Sequence, residues 1–227
     1  SEIKKLWDCD PNIEITAEAN PSSSEASKFM DFHSAGINRL SIGVQSFNKK
    51  NLKFLGREHT AKEAKHAIIS AAKVFDNYTF DLIYALPSQT LISWEQELSL
   101  ALKFARNHVS LYQLTIEPGT KFYKNRVKSA SENMGSKLYQ ITNAITKEAG
   151  FESYEISNYS KSDFKCRHNL VYWNGLDYLG VGPGAHGRLT ENYITQSFQN
   201  YKNPNKWLNR ALTKQNGEQS RVSLKPH

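Results

Sequence analysis

The sequence predicts an α/β fold, a parallel sheet with helices packed outside it, on three observations. Short apolar runs of strand length alternate with helical patterns along residues 1–156, making four βα units in a row. Capping signatures open several of those helices and glycines close them. No repeat of fixed period and no low-complexity linker interrupts the series, so the sheet either curves toward a barrel or lies open.

Residues 13–17 read as the first strand, running into Glu18-Ala-Asn-Pro21. Ser22-x-x-Glu25 is a capping-box signature for a helix through Phe29, Met30 and His33, which Gly36 breaks. In the second strand, 39–44, Leu40, Ile42 and Val44 alternate with Ser41 and Gly43 among mostly uncharged neighbours, the pattern of a strand covered on both faces. A short helix over 49–55 leads to Gly56-Arg57-Glu58. Thr60-x-x-Glu63 caps the next helix, where Ala64, Ala67, Ile68, Ala71, Ala72 and Phe75 share one face. Residues 78–84 form the third strand, with Asp81 a charge inside an apolar run. Leu86-Pro87 turns the chain into a helix over 93–105 that carries Trp94, Leu98, Ala101 and Leu102 inward. The fourth strand, 108–115, ends at Glu117-Pro-Gly119; a helix over 131–149, closed by Gly150, and a fifth strand over 151–156 complete the series. Beyond it, 157–190 is rich in Asn, Tyr, Gly and His and reads as a long functional loop or lid, and the chain from Pro204 as one helix and a polar tail. The expected domains are therefore 1–156 and 157–227.

With 227 residues, 39% of them hydrophobic, the chain can bury a sizeable core. No run approaches the roughly 20 apolar residues of a membrane span, and the start lacks a signal-peptide layout, so a cytoplasmic protein is expected. Cys9 and Cys166 lie far apart, which argues against a disulfide framework and a cysteine-rich metal site. The net charge of +7 comes from lysines scattered in ones and twos rather than gathered with aromatics, so no nucleic-acid partner is expected.

Ligands of parallel sheets bind at the carboxyl ends of the strands. Glu18, Gln45, Arg57 and Asp81 fall at strand ends or in βα loops, and a parallel sheet brings them to one rim. Such a set suits a zwitterionic ligand: Arg57 for a carboxylate, Glu18 or Asp81 for an ammonium or ribose hydroxyls, at about 1.5–3 kcal/mol for each charge-assisted bond. The structural alternatives are a plain loop residue for Gln45, an ion-pair partner for Asp81 and a helix-end cation for Arg57. Later, Cys166-Arg-His-Asn-Leu-Val-Tyr-Trp173 sets a histidine beside an amide and two aromatics, and Leu179–Gly187 is a Gly-rich turn holding His186. A histidine among aromatics in a loop can serve as an axial ligand to haem; a lone histidine more often makes one hydrogen bond.

The segments Glu18-Ala-Asn-Pro21, Arg39-Leu-Ser-Ile-Gly-Val-Gln-Ser-Phe-Asn48, Leu55-Gly-Arg-Glu-His59, Asp81-Leu-Ile-Tyr-Ala-Leu-Pro-Ser-Gln-Thr90 and Ser110-Leu-Tyr-Gln-Leu-Thr-Ile-Glu-Pro-Gly-Thr120 follow in an order that resembles the radical S-adenosylmethionine (radical SAM) proteins related to oxygen-independent coproporphyrinogen III oxidase. The resemblance implies a segment of a radical SAM partial (β/α)6 TIM-like barrel, from its third strand onward, then a haem-motif loop and an incomplete C-terminal region. His168-Asn-x-x-Tyr-Trp173 and Gly182-Pro-Gly-Ala-His-Gly187 resemble the haem chaperone branch. That branch implies a carrier rather than an enzyme, one that binds haem and delivers it to haem-requiring membrane proteins such as respiratory enzymes. The enzyme alternative is coproporphyrinogen III oxidase of porphyrin biosynthesis; the other is a basic RNA-binding module. By resemblance, Glu18 contacts one S-adenosylmethionine, Gln45, Arg57 and Asp81 contact a second, and His168 holds haem iron. The family's [4Fe–4S] cluster sits on Cys-x-x-x-Cys-x-x-Cys, followed by Gly-Gly-Gly-Thr-Pro, and this sequence contains neither. It therefore reads as an internal piece without the cluster ligands, in which radical chemistry is not expected. Family members carry Gly at the position of Ala85, a change expected to add a methyl in a turn and no more.

Overall fold

A computed structural model describes residues 3–224 of the chain, in two compact units that divide between Lys165 and Cys166. In the first unit, α1 (Ile3–Leu6) precedes β1 (Thr16–Ala19), α2 (Ser23–Ala26) and α3 (Phe29–Ser34). Next come β2 (Arg39–Gln45), α4 (Lys49–Phe54), α5 (Ala61–Val74), β3 (Asn77–Tyr84) and α6 (Leu91–Leu102). β4 (His108–Gln113), α7 (Lys121–Lys124), α8 (Glu132–Glu148), β5 (Glu152–Ser153) and β6 (Asn158–Ser160) complete it. The sheet order is β1-β2-β3-β4-β6-β5; the first four strands are parallel, and β6 and β5 form an antiparallel ribbon at one side. A mostly parallel sheet with outer helices is the α/β architecture that the alternation of patterns predicts.

Local chemistry explains the helices. Thr60 and Glu63 form a reciprocal capping box on α5, Thr90 and Ser93 form one on α6, and Ser131 caps α8 through the amide of Met134. The core lies between sheet and helices. Leu40, Ile42, Val44, Phe80, Leu82, Val109 and Leu111 are buried against Ala64, Ala67, Ile68, Trp94, Leu98 and Leu138, each large side chain contributing about 1.5–3 kcal/mol by burial. The indole of Trp94 stacks on Tyr84 at 5.0 Å and donates to the hydroxyl of Thr142 at 2.8 Å, which joins α6 to both β3 and α8.

Several boundaries differ from expectation. The first strand is displaced to 16–19 because the Asn38 amide binds the amide of Ile15 and the carbonyl of Ile13, each at 2.7 Å, so 13–15 are tied by a side chain. Glu18 consequently lies within a strand. The expected helix over 22–33 is two short helices separated by a turn at Ser27–Lys28. The fifth strand is only two residues long and is not a parallel βα strand: Glu155 accepts from the amide of Ser157 and from Asn158, turning the chain back so that β6 runs antiparallel to β4.

In the second unit the expected loop over 157–190 instead holds α9 (Arg167–Trp173) and the start of β7 (His186–Glu191); β8 (Ile194–Asn200) follows, the helix expected from Pro204 is present as α10 (Pro204–Lys214), and β9 (Glu218–Ser223) stands where a polar tail was expected, the strands making an antiparallel sheet in the order β7-β8-β9. Gly187 is matched to Phe198 across β7 and β8, and a Cβ there would meet the ring at 2.0 Å, so the glycine makes room for the aromatic. Among the described residues no helix is long and apolar enough to cross a membrane.

Candidate functional site

Most strand residues of the first unit that point away from the helices are polar, Ile83 being an exception. Register sets Glu18 beside Ser41, Ser41 beside Thr79, Asp81 beside Ser110, and Ser110 beside Asn158. Matched residues on neighbouring strands share a face, so these side chains form one inner wall. His108 is fully buried in it, with Nδ1 2.8 Å from the Thr79 hydroxyl and Nε2 2.8 Å from the Tyr154 hydroxyl. Burial, reinforced by positive Arg39, holds His108 down at a pKa of about 3, so its imidazole is neutral. Asp81 hydrogen-bonds Ser110, and burial pushes its carboxyl up to about 6; Glu18 adds to that shift while Ser110, Arg39 and Arg57 oppose it. Arg39 is 3% exposed, its Nε lies 4.0 Å from Glu14, and that atom has no hydrogen-bond partner among the described residues.

Gln45 ends β2 with φ +66°, the left-handed region that a non-glycine residue rarely adopts. The neighbouring segment holds it there. Glu97 of α6 accepts from the Ser46 hydroxyl and from the Phe47 amide, the latter at 2.7 Å, and His59 donates from Nε2 to the Val44 carbonyl at 2.9 Å. The Gln45 side chain folds back over Gly43, where an added Cβ would lie 3.1 Å from its Nε2. A turn so over-determined is where backbone strain persists, and such strain gathers at ligand sites.

Of the residues singled out from sequence, Glu18, Arg57 and Asp81 thus share one electrostatic neighbourhood and Gln45 bends onto the same wall. Asp81 bonds a hydroxyl rather than pairing closely with an arginine. The sequence reading missed Arg39, Thr79, His108, Ser110, Glu97 and His59. The first four had a signal, the period-2 recurrence of polar residues in strands 2 to 4; Glu97 and His59 had none, because their partners are backbone groups, a serine and an asparagine distant in sequence.

His168 belongs to the second unit and lies on a helix, not in a loop. One turn separates it from Tyr172, whose ring meets the imidazole edge-on at 4.8 Å, and Tyr172 contacts Tyr178 at 4.6 Å. Tyr172 and Trp173 remain about half exposed, at 48% and 55%. His186 opens β7 and is exposed. A single accessible imidazole beside bare aromatic surface has the chemistry to ligate haem iron and cover part of a macrocycle.

Residues 2–101 match the family model described as the Radical SAM superfamily. The chain is 45% identical over 191 residues to "Heme chaperone HemW" of Haemophilus influenzae, covering 83% of this chain and 50% of that protein. The chain belongs to the radical SAM superfamily. It is also 42% identical over 189 residues to "Heme chaperone HemW" of Buchnera aphidicola from Acyrthosiphon pisum, covering 83% of this chain and 50% of the relative. It spans about half the length of the curated relatives it matches. The solved coproporphyrinogen III oxidase (HemN) of Escherichia coli superposes with a TM-score of 0.80 at 21% identity, over 98% of this chain and 54% of that one, which identifies the fold.

Membership implies S-adenosylmethionine and a [4Fe–4S] cluster. The inner wall fits the former, since carboxylates, an arginine and an amide converge there on a partly buried polar surface. Among the described residues no group of three His, Cys, Asp or Glu that could hold a metal lies together, so they do not fit the cluster.

Proposed function

We propose that the chain is part of a haem chaperone, which binds haem in the second unit and S-adenosylmethionine on the inner wall of the first, and hands haem in the cytoplasm to membrane proteins such as respiratory enzymes. The observation that carries the haem reading is the row His168, Tyr172, Tyr178 on and beside α9, with exposed aromatic surface next to an accessible imidazole. The printed names of the relatives support it. The coproporphyrinogen III oxidase alternative has fold likeness in its favour and nothing more specific.

In this reading His168 is the iron ligand, Tyr172 and Trp173 flank the macrocycle, and Asn169 is near enough in sequence to hydrogen-bond at its edge. On the inner wall, Glu18 contacts one S-adenosylmethionine. Gln45, Arg57 and Asp81 contact a second, Asp81 holding ammonium or ribose hydroxyls and Arg57 a carboxylate. Titrating haemin while recording the Soret band tests the ligand: His168→Ala is expected to shift the band and weaken binding at least tenfold, with His186→Ala close to wild type. An unchanged band in His168→Ala, or a larger effect from His186→Ala, refutes the assignment.

A further inference from the structure

We infer that Arg188 takes a propionate carboxylate of the bound haem, which makes the second unit selective for free-acid porphyrins; the inference rests on the haem reading of the same site. The placement of Arg188 carries it. Tyr178 and Arg188 form an isolated antiparallel bridge in which each amide donates to the other's carbonyl at 2.9 Å. Residues paired this way project their side chains to the same face, and on that face the Tyr178 ring contacts Tyr172, which contacts His168. Gly175, just past α9, gives an independent bearing: a Cβ there would lie 3.5 Å from Nη1 of Arg188. His168 lies in the first turn of α9 and Tyr172 one turn on, while Gly175 lies past its C-terminal end, so the guanidinium is set toward the end of the helix opposite the imidazole.

The segment is rigidly placed. Asp177 accepts from the amide and the hydroxyl of Thr190, at 2.8 and 2.9 Å, which clamps the residue before Tyr178 to β7 beyond Arg188. A planar guanidinium suits a carboxylate because it can donate two parallel hydrogen bonds. The competing role is structural: a cation near the C-terminal end of α9 also favours the helix dipole. The two roles differ in whether the charge of the ligand matters.

The test titrates the full chain, as wild type, Arg188→Gln and Arg188→Lys, with haemin and with haemin dimethyl ester, whose propionates carry no charge. Wild type is expected to bind haemin about tenfold more tightly than the ester, the worth of one charge-assisted pair. Arg188→Gln should bind both as wild type binds the ester, with an unaltered Soret position because the iron ligand is unchanged, and Arg188→Lys should recover part of the difference. Equal affinity of wild type for haemin and ester overturns the inference without any variant, as does an equal loss for both in Arg188→Gln. Absence of any Soret shift in wild type overturns the haem reading and this inference together, whereas a normal shift without ester discrimination overturns this inference alone.

Discussion

Asp81 carries its charge where burial disfavours it, and the protein's stability should record this. Its folded value of about 6 lies above the ordinary 3.8, so between those pH values the native chain binds the extra proton. The contribution of Asp81 to stability is therefore full below about pH 4 and lost as pH rises through 6. His108 has the opposite sign: its folded value of about 3 lies below 6.5, so its contribution is present above pH 6.5 and lost as pH falls toward 3. Asp81→Asn should raise the unfolding free energy at pH 7 by about 1–3 kcal/mol in urea titrations, with a smaller gain at pH 5, while weakening S-adenosylmethionine binding. A destabilised variant at pH 7 would show that the carboxylate is structural. Ala85 holds a second strained position, at φ +58° and buried, with its carbonyl fixed by the Ala130 amide at 2.9 Å. The expectation that a methyl there adds nothing is incorrect, because the backbone occupies the region glycine tolerates. Ala85→Gly is expected to raise the melting temperature, by about 0.5–1 kcal/mol in stability. The polar wall was only half legible in sequence. Asp81 stood out as a charge in an apolar run, while Thr79, His108 and Ser110 read as ordinary strand residues until register set them side by side.

At the scale of elements, strands and helices whose periodicity is set by local packing were legible: β2, β3, β4, α5, α6 and α8 lie close to where the pattern puts them. The ends governed by tertiary bonds were not. β1 moves because of Asn38, β5 shrinks because Glu155 reverses the chain, and α9 forms where the aromatic and Asn content suggests a loop. The second unit rests on close backbone approaches that composition also hides. Gly187→Ala would drive a methyl into the Phe198 ring, and a Cβ on Gly217 would likewise fall 2.1 Å from Nε1 of Trp207. Gly187→Ala should therefore disrupt the β7–β8 pairing and cost several-fold in haemin affinity, with S-adenosylmethionine binding retained. Isothermal titration of both ligands checks this; parallel loss of the two would mean that one cooperative structure carries both.

At the scale of the whole chain, the residues assigned to haem and those assigned to S-adenosylmethionine are held by separate units. Each unit supplies its own scaffold. In the first, the helix-facing side of the sheet is packed with leucine, isoleucine, phenylalanine and tryptophan, whereas the opposite side offers hydroxyls, an imidazole, an arginine and carboxylates. A sheet side lined mostly by hydrophilic groups gains little from apolar burial, so a ligand seated on it can add to the stability of the unit. On the proposed reading, S-adenosylmethionine seated there would be a removable keystone, in the place where other barrels keep layers of aliphatic side chains. Such a keystone makes firmness a function of concentration: at one hundred times its dissociation constant, S-adenosylmethionine should add about 2.7 kcal/mol and raise the first unit's melting temperature measurably. A melting curve indifferent to the ligand would mean that S-adenosylmethionine does not bind the folded first unit.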